Sequence, residues 1–464
     1  MNHPFQALCL IDSRNDESAG RSLIAACGPG LYSIAFDGTH EGSVRAKWVA
    51  GHESTEEATV EESPEPQQKK RKLNDVAAES APVFTKLVTA ANQSYIVAAT
   101  DDKCIRVFEF AKDGRLNQLS QRCMPKRPCA IQITPDSKTI ICGDKFGDVY
   151  SLPLLMPAAS EITQSVTSNG VSQPKLYSPA AEETTVHTMR NRKALEEQLR
   201  AKGRPTNAKV ALAFEHKILL GHVSMLTDMQ ITTDKSNGGT YIMTCDRDEH
   251  IRVSRGILQS HIIENFCMGH TEFVHKLQIL PDTDILLSGG GDDWLGVWNW
   301  KSGKLIARHD LRGLKTGVDG LDARIAVQNI WLVRGANDQI IKPHTIAVKA
   351  EGSKSLAVLE ASSITDAAAI PQIVDCSAIG DIIDMVTIGA DRLIASVEGS
   401  PRLQCLELRK TGEKWELTRD EEASNMLTQV NAIEVARPDA KKLDAILYGV
   451  ETLRKQEFDD EAEG

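Results

Sequence analysis

One motif recurs four times in this chain and constrains its fold more than any other feature. In each copy an Asp lies six residues before an aromatic residue or a Ser, and a Val immediately precedes that sixth residue. An apolar, strand-like run lies upstream of every copy. The first two Asp residues are 42 residues apart and the last two are 44 apart. The copies are Asp102–Phe108, Asp144–Tyr150, Asp248–Ser254 and Asp292–Trp298.

This spacing predicts an all-β fold, a β-propeller of WD repeats, because a blade of that type repeats every 40 to 45 residues or so. Each unit is then a four-stranded sheet, and packing the sheets in a ring covers faces that a single sheet leaves exposed. Gly-His pairs at 221–222 and 269–270 stand upstream of Asp248 and Asp292, where WD repeats carry them. The turn Asp is expected to bind such a His or its own backbone.

Weaker strand pairs complete the expected ring. They lie at 21–38, 342–361 and 391–409 and raise the expected number of blades to seven. Residues 5–12 form another apolar run, which is expected to complete the last blade. Such closure would remove the exposed edge of the ring.

Two segments interrupt the repeats. Residues 53–82 are acidic, then basic, as expected for a disordered insertion, and 156–206 include good helix formers that predict a short helix. The expected organisation is a first blade with ring closure at 1–52, the disordered insertion at 53–82, blades at 83–155, the partly helical insertion at 156–206, blades at 207–419 and a charged tail at 420–464.

The net charge of −11 does not exclude a nucleic-acid partner. Six carboxylates fall in 53–65 and five in 457–464, and without those eleven the chain has 53 basic and 53 acidic residues. A local basic patch is therefore compatible with the composition. There is no run of eighteen apolar residues, so we expect no membrane partner. The ten cysteines include no C-x-x-C pair, and we expect them to be reduced core residues.

Catalytic motifs are missing from the sequence. It contains no G-x-S-x-G, no H-E-x-x-H and no phosphate-binding P-loop, so we expect neither catalytic residues nor a metal site nor a cofactor in this chain. A basic run in the acidic insertion suggests a nuclear import signal, although a solvated charge cluster would have the same sequence. That run is Lys69, Lys70, Arg71 and Lys72.

The segment 240–256 combines several charges with a departure from the repeat. Where a WD repeat has Trp-Asp, this chain has Ser254-Arg255. If the flanking Ile and Val face the core, the period of two points Arg252 outward. A charged docking edge and an ordinary polar blade edge both fit this pattern, and the residues alone favour the second.

The run C-D-R-D-E-H-I-R-V-S at 245–254, followed by F-C-M-G-H-T-E-F-V at 266–274, resembles the WD-repeat, non-catalytic subunit of the eukaryotic tRNA (guanine-N7)-methyltransferase, in its fungal form. The resemblance implies a heterodimer with a separate catalytic subunit that binds S-adenosylmethionine and methylates a guanine in the tRNA variable loop. It also implies a nuclear location. Residues implied to contact the partner are Arg247, Glu249, His250 and Arg252.

Contact with the tRNA backbone is a further expectation. The loop Q-R-C-M-P-K-R-P supplies three candidate cations, Arg122, Lys126 and Arg127, which would position RNA without reading its sequence. A solvated loop explains them equally well. Two other functions remain open at this point: a WD-repeat scaffold in another nuclear complex, such as one for chromatin or ribosome assembly, and a propeller enzyme with a site in its central channel.

Overall fold

A computed structural model describes residues 2–12, 21–36, 42–50, 81–156, 214–315, 324–334, 343–389, 391–438 and 440–455. Seven four-stranded antiparallel sheets make up this part of the chain, and each sheet consists of four strands in sequence order. The seven-bladed propeller is thus confirmed. The compact unit that contains it is Met1–Leu154 with Lys217–Gly464, and Leu155–His216 form a second unit.

The first four blades contain β1 to β16. Blade 1 consists of β1 (Phe5–Asp12), β2 (Arg21–Cys27), β3 (Gly30–Ala35) and β4 (Ser43–Val49). Blade 2 consists of β5 (Phe84–Thr89), β6 (Tyr95–Thr100), β7 (Cys104–Phe110) and β8 (Leu116–Cys123). Blade 3 consists of β9 (Pro128–Ile133), β10 (Thr139–Asp144), β11 (Asp148–Pro153) and β12 (Lys217–Gly221). Blade 4 consists of β13 (Leu226–Thr233), β14 (Thr240–Asp246), β15 (Ile251–Arg255) and β16 (Ile263–Cys267).

The remaining blades contain β17 to β28. Blade 5 consists of β17 (Val274–Ile279), β18 (Ile285–Gly290), β19 (Trp294–Asn299) and β20 (Lys304–Asp310). Blade 6 consists of β21 (Val327–Arg334), β22 (Pro343–Ala350), β23 (Ser355–Glu360) and β24 (Gln372–Asp375). Blade 7 consists of β25 (Asp381–Thr387), β26 (Arg392–Glu398), β27 (Leu403–Thr411) and β28 (Lys414–Arg419).

Short helices complete the described elements. The α-helices are α1 (Glu421–Asn425), α2 (Thr428–Asn431) and α3 (Ala440–Leu447). Single 3-10 turns occur at Ile257–Gln259, Arg312–Lys315 and Glu451–Leu453.

The second strand of each blade explains why the repeats were visible in the sequence. In β6, β10 and β18 all residues but the first are buried. A strand that is covered on both faces reads as a continuous apolar run rather than an alternating one. The fourth strands lie at the rim, and β4 and β8 are largely exposed. The weak pairs at 21–38, 342–361 and 391–409 correspond to the second and third strands of blades 1, 6 and 7.

Ring closure differs from the expectation. Residues 5–12 form β1, which pairs with β2 of its own blade, and blade 7 takes all four of its strands from 381–419. The prediction that this strand completes the last blade is therefore wrong. The ring closes by packing, since Phe5 and Leu8 share a core cluster with Ile394 and Leu403. The Leu8 amide also donates to Asp384 Oδ2 across the junction at 2.8 Å.

The cysteines also depart from the expectation in one place. Cys104 and Cys123 are directly opposite each other on β7 and β8 and form a disulfide. Eight other cysteines are free, and six of these are buried. The expectation of reduced core cysteines fails for the bonded pair, because the sequence does not show that residues nineteen positions apart are cross-strand neighbours.

Candidate partner-binding surface

Blade 5 shows how the repeated residues hold the end of a blade together. His270 Nδ1 lies 2.7 Å from Asp292 Oδ2, and its Nε2 lies 2.7 Å from Ser288 Oγ. Trp298 donates its indole N–H to the same Ser288 oxygen at 2.7 Å. Burial alone would raise the pKa of Asp292, but hydrogen bonds from His270 and Thr271 lower it below its usual value. The predicted contact between a turn Asp and the His of a Gly-His pair is confirmed here.

Blade 4 makes the same contact with a different Asp. His222 Nδ1 lies 2.8 Å from Asp246 Oδ2, and its Nε2 lies 2.7 Å from Thr244 Oγ1. The repeat spacing assigned this role to Asp248, so that assignment is wrong by two residues. Asp246 also accepts the backbone N–H groups of Asp248, at 2.9 Å, and His250, at 3.1 Å. Asp246 is therefore the residue that holds the turn 246–250.

The shift leaves Asp248 and Glu249 at the surface of the turn. Glu249 has φ 72°, in the left-handed region. The two carboxylates share one cation, because Lys455 Nζ lies 3.1 Å from Asp248 Oδ1 and 3.3 Å from Glu249 Oε1. The predicted partner residue Glu249 is thus partly exposed, but already has an intramolecular ion pair.

Arg247 makes hydrogen bonds within the chain. Its Nε donates to the Leu453 carbonyl at 2.6 Å and its Nη2 donates to the Arg454 carbonyl at 3.0 Å. Those two carbonyls belong to the C-terminal segment, which the sequence had suggested to be a tail. Arg247 therefore holds that segment to blade 4, and its contact with a partner stays a prediction.

His250 and Arg252 present their side chains beside this turn. The His250 side chain is 46% exposed, with Nδ1 3.6 Å from Asp246 Oδ1. Ile251 and Val253 are fully buried, so β15 has the alternation that directs Arg252 away from the core. The Arg252 guanidinium donates to the Gly221 carbonyl at 3.1 Å and to Ser254 Oγ at 3.0 Å, both neutral groups. Partial burial lowers the pKa of this guanidinium, while Asp246 opposes that effect.

The turn of blade 4 is continuous with two neighbouring loops. The Arg247 amide donates to the Met225 carbonyl at 2.9 Å, and the His222 amide donates to the Gly147 carbonyl at 2.9 Å. Gly147 has φ 94°, and a Cβ there would lie 2.5 Å from the His222 carbonyl oxygen, so this close approach requires glycine. We call the three segments 144–148, 222–225 and 246–250 together the docking ridge.

Apolar side chains on the docking ridge were not predicted from the sequence. Phe146 is 54% exposed and Val223 is fully exposed. Lys126 Nζ lies 4.1 Å and Lys145 Nζ 5.6 Å from the centroid of the Phe146 ring. The only available signal was an aromatic residue in a short turn that otherwise contains Asp, Lys and Gly.

The three predicted tRNA-contacting residues separate into two environments. Lys126 is exposed beside Phe146, and Arg127 is half-buried, with its carbonyl accepting the Lys145 amide. Arg122 instead is fully buried, and its guanidinium donates to the carbonyls of Pro153 and Leu154. Burial lowers the pKa of Arg122 to about 10. This burial and the two carbonyl partners of Arg122 argue against its assignment as a phosphate-binding residue.

Other predicted features lie outside the described residues. They are the basic run Lys69, Lys70, Arg71 and Lys72, the whole of the 53–80 segment, and the expected helix within 157–206. Within the described ranges, no group of three His, Cys, Asp or Glu side chains is arranged to hold a metal ion. No helix of the described part is long and apolar enough to cross a membrane.

Comparison with known proteins shows the family of this chain. Residues 23–414 match the model of the tRNA methyltransferase TRM82 WD40 domain. The tRNA (guanine-N(7)-)-methyltransferase non-catalytic subunit TRM82 of Coccidioides immitis is 37% identical over 486 residues, covering 96% of this chain and 91% of that protein. The corresponding subunit of Aspergillus oryzae is 40% identical over 382 residues, covering 76% and 73%.

Among solved structures, a chain in the crystal structure of the mitotic checkpoint complex superposes with a TM-score of 0.50 at 11% identity. The superposition covers 84% of this chain and 88% of that one. At this level of identity the likeness shows the propeller fold alone.

Proposed function

The chain belongs to the family of tRNA methyltransferase TRM82 WD40 domains, and from this membership we propose that it is the non-catalytic subunit of a tRNA (guanine-N7)-methyltransferase. In this proposal it forms a heterodimer with a separate catalytic subunit and stabilises that subunit. S-adenosylmethionine then binds to the catalytic partner, and this chain contributes surface rather than chemistry.

The structural observation that supports a partner-binding role is the composition of the docking ridge. It combines an exposed aromatic ring, Phe146, with a fully exposed Val223 and the cation Lys145, and Arg252 lies beside it against the Gly221 carbonyl. Protein interfaces are enriched in aromatic residues and Arg, and a few such anchors supply most of the binding energy. The ridge therefore suits a partner surface that has an apolar pocket and carboxylates.

Arg252 is the best candidate for a specific ion pair. Its guanidinium donates one N–H from Nε to a hydroxyl and one from Nη1 to a carbonyl, and both acceptors are neutral. An incoming carboxylate could take the remaining N–H groups in the paired geometry that arginine favours. Because the guanidinium is already partly removed from water, this ion pair would be less screened than one at a fully exposed site.

The test is to co-purify the two subunits. We expect Arg252→Glu to weaken binding of the catalytic subunit by about 2–5 kcal/mol, because the reversal places two carboxylates opposite each other. Phe146→Ala should also weaken the complex through loss of an apolar anchor. Arg409→Glu is the control for a charge reversal elsewhere on the surface, since Arg409 is an exposed arginine of blade 7, although it differs from Arg252 in having a carboxylate partner, Glu407, within the chain.

The cellular counterpart measures the modified nucleoside. Deleting the gene should abolish or strongly reduce N7-methylguanine in tRNA, and the Arg252→Glu variant should give an intermediate or equal loss. Unchanged N7-methylguanine in the deletion strain would refute the proposed function. Normal co-purification of Arg252→Glu would refute the role of that residue alone.

Contact with tRNA is proposed through Lys126 and Arg127. Both lie beside the docking ridge, so their charges could act on RNA phosphates or on an acidic protein surface. If they bind phosphate, Lys126→Ala should reduce the salt dependence of tRNA binding by the assembled complex by about one unit. If they bind the partner, the variant should instead weaken subunit association in the absence of tRNA.

Nuclear import is proposed for the run 69–72. Replacing Lys70 and Arg71 with Ala should redistribute a fluorescent fusion from nucleus to cytoplasm without affecting subunit association. A fusion that stays nuclear would exclude this run as the import signal.

A further inference from the structure

The C-terminal segment 440–455 lies across four blades of the propeller. Its apolar side chains are buried: Leu443 and Leu447 pack with Ile383, and Val450 and Leu453 pack with Phe273. A segment with this much buried apolar surface is part of the folded unit and not a loose tail.

Polar contacts fix the path of this segment from blade to blade. Tyr448 donates its hydroxyl to Glu398 Oε2 of blade 7 at 2.5 Å. Glu351, which follows β22 of blade 6, accepts the Val450 amide at 2.7 Å. Arg454 then donates to the Gly291 carbonyl of blade 5 at 2.9 Å. The segment thus runs from blade 7 towards blade 4.

Residues 453–455 of this segment lie against the docking ridge. Arg247 binds the carbonyls of Leu453 and Arg454, and Lys455 Nζ lies within 3.3 Å of both Asp248 and Glu249. Hydrogen bonds to Asp248 and then Glu249 raise the pKa of Lys455, while its slight burial opposes this effect. The turn 246–250 is therefore held on one side by His222 and on the other by the C-terminal segment.

The charge of the ridge depends on this contact. Asp248 and Glu249 together place two negative charges on the turn, close in sequence to Arg252 and His250. Lys455 offsets one of these charges and directs both carboxylates towards itself. Without Lys455, two unpaired carboxylates would face any acidic surface that approaches Arg252, and like charges at an interface weaken binding.

We propose that residues 451–455 form part of the partner-binding surface, with Lys455 neutralising the 246–250 turn so that the ridge accepts an acidic face of the catalytic subunit. This inference rests on the proposed function. Lys455 acts by neutralising the carboxylates of Asp248 and Glu249, and Arg247 holds the segment in place.

The test measures the dissociation constant of the two purified full-length subunits at low and high salt. We expect Lys455→Glu to weaken binding by about tenfold or more at low salt, with a smaller effect at high salt, because exposed charges are screened. Lys455→Arg should bind like the natural chain. Lys410→Glu is the matched control, since Lys410 is an exposed lysine of blade 7 with its own ion pair, to Glu360.

A variant without the two carboxylates tests whether Lys455 acts by neutralising them. When Asp248→Asn and Glu249→Gln are introduced together, Lys455→Gln should cause no further loss of affinity, because no carboxylate remains to be neutralised. The same loss as in the natural background would overturn the proposal. Urea unfolding of each variant checks that the propeller is intact.

The outcomes distinguish this inference from the proposed function. If the natural chain fails to bind the catalytic subunit, the proposed function is refuted. If the natural chain binds, Arg252→Glu weakens binding and Lys455→Glu has no effect, only the role of the C-terminal segment is refuted.

Discussion

Two aspartates of blade 4 stand two residues apart and should differ greatly in their effect on stability. Asp246 is buried and accepts hydrogen bonds from His222 Nδ1 and from two backbone N–H groups. Asp246→Ala leaves these three donors without an acceptor, and each unsatisfied buried donor costs about 1–3 kcal/mol. Because the three share one site, the costs do not add fully. We expect a loss of about 3–5 kcal/mol in the free energy of unfolding.

Asp248→Ala removes much less. The Asp248 side chain is 40% exposed, and its ion pair is with Lys455, which is 56% exposed. Exposed ion pairs of this kind contribute about 0.2–1 kcal/mol. We therefore expect the Asp248 variant to unfold close to the natural chain, although the repeat spacing alone aligns Asp248 with Asp102, Asp144 and Asp292.

The assay is urea unfolding of both variants and the natural chain, monitored by tryptophan fluorescence and circular dichroism. Trp298 and Trp300 are buried in the adjoining blade 5, so fluorescence reports on this region. For a slope of roughly 3 kcal/mol/M, the Asp246 variant should shift its midpoint by about 1 M or more. Equal midpoints, or a larger loss for Asp248→Ala, would refute the assignment of Asp246 as the residue that holds the turn.

Three further predictions concern charged side chains that are buried or partly buried. Asp292→Asn should be less stable than the natural chain above about pH 4, and this difference in stability should shrink as the pH falls through the lowered pKa of Asp292. Unfolding measured from pH 3 to 7 tests this, and a difference in stability that does not depend on pH would contradict it. Lys86→Met should raise stability at pH 7 by about 1–3 kcal/mol, because the positive charge of Lys276 and then burial lower the pKa of Lys86 to about 8. That gain in stability should decline from about pH 8 to pH 10.5, because in this range the lysine is protonated in the unfolded chain and neutral in the folded one. A variant that is less stable than the natural chain at pH 7 would contradict the lowered pKa of Lys86. Arg122→Met should lower the free energy of unfolding by about 1–3 kcal/mol, because two buried carbonyls lose their donor. It should leave the salt dependence of tRNA binding unchanged. A reduced salt dependence would show that Arg122 contacts phosphate.

The propeller itself could be predicted because its inner strands carry a strong signal. The second strands are covered on both faces and read as apolar runs, and Gly-His pairs mark the blade ends. The burial of Arg122 could not be predicted because the sequence around it resembles a loop, whereas it lies near the end of β8 with its side chain buried. Neither its burial nor its carbonyl partners at Pro153 and Leu154 could be inferred without knowing which strand of blade 3 lies next to it.

The C-terminal segment was misjudged for a related reason. Its high charge suggested a tail, although Leu443 and Leu447 are spaced four residues apart, as on one face of a helix. Such a short pattern does not show what covers it. The partners of the segment come from four blades that are far from it in sequence, and only the closed ring brings them to one end of the molecule.

Stability and binding should respond to different residues of the same turn. Asp246 makes the hydrogen bonds that the fold of blade 4 requires, so the fold needs neither Asp248 nor Glu249 for the geometry of the turn. We therefore expect the charges of those two residues to affect mainly the binding of the partner subunit at the docking ridge, and Lys455 to determine how much of their negative charge is neutralised. A small effect of Asp248→Ala on unfolding and a large effect of Lys455→Glu on subunit affinity are thus two consequences of one structural fact, the two-residue shift of the turn Asp in blade 4.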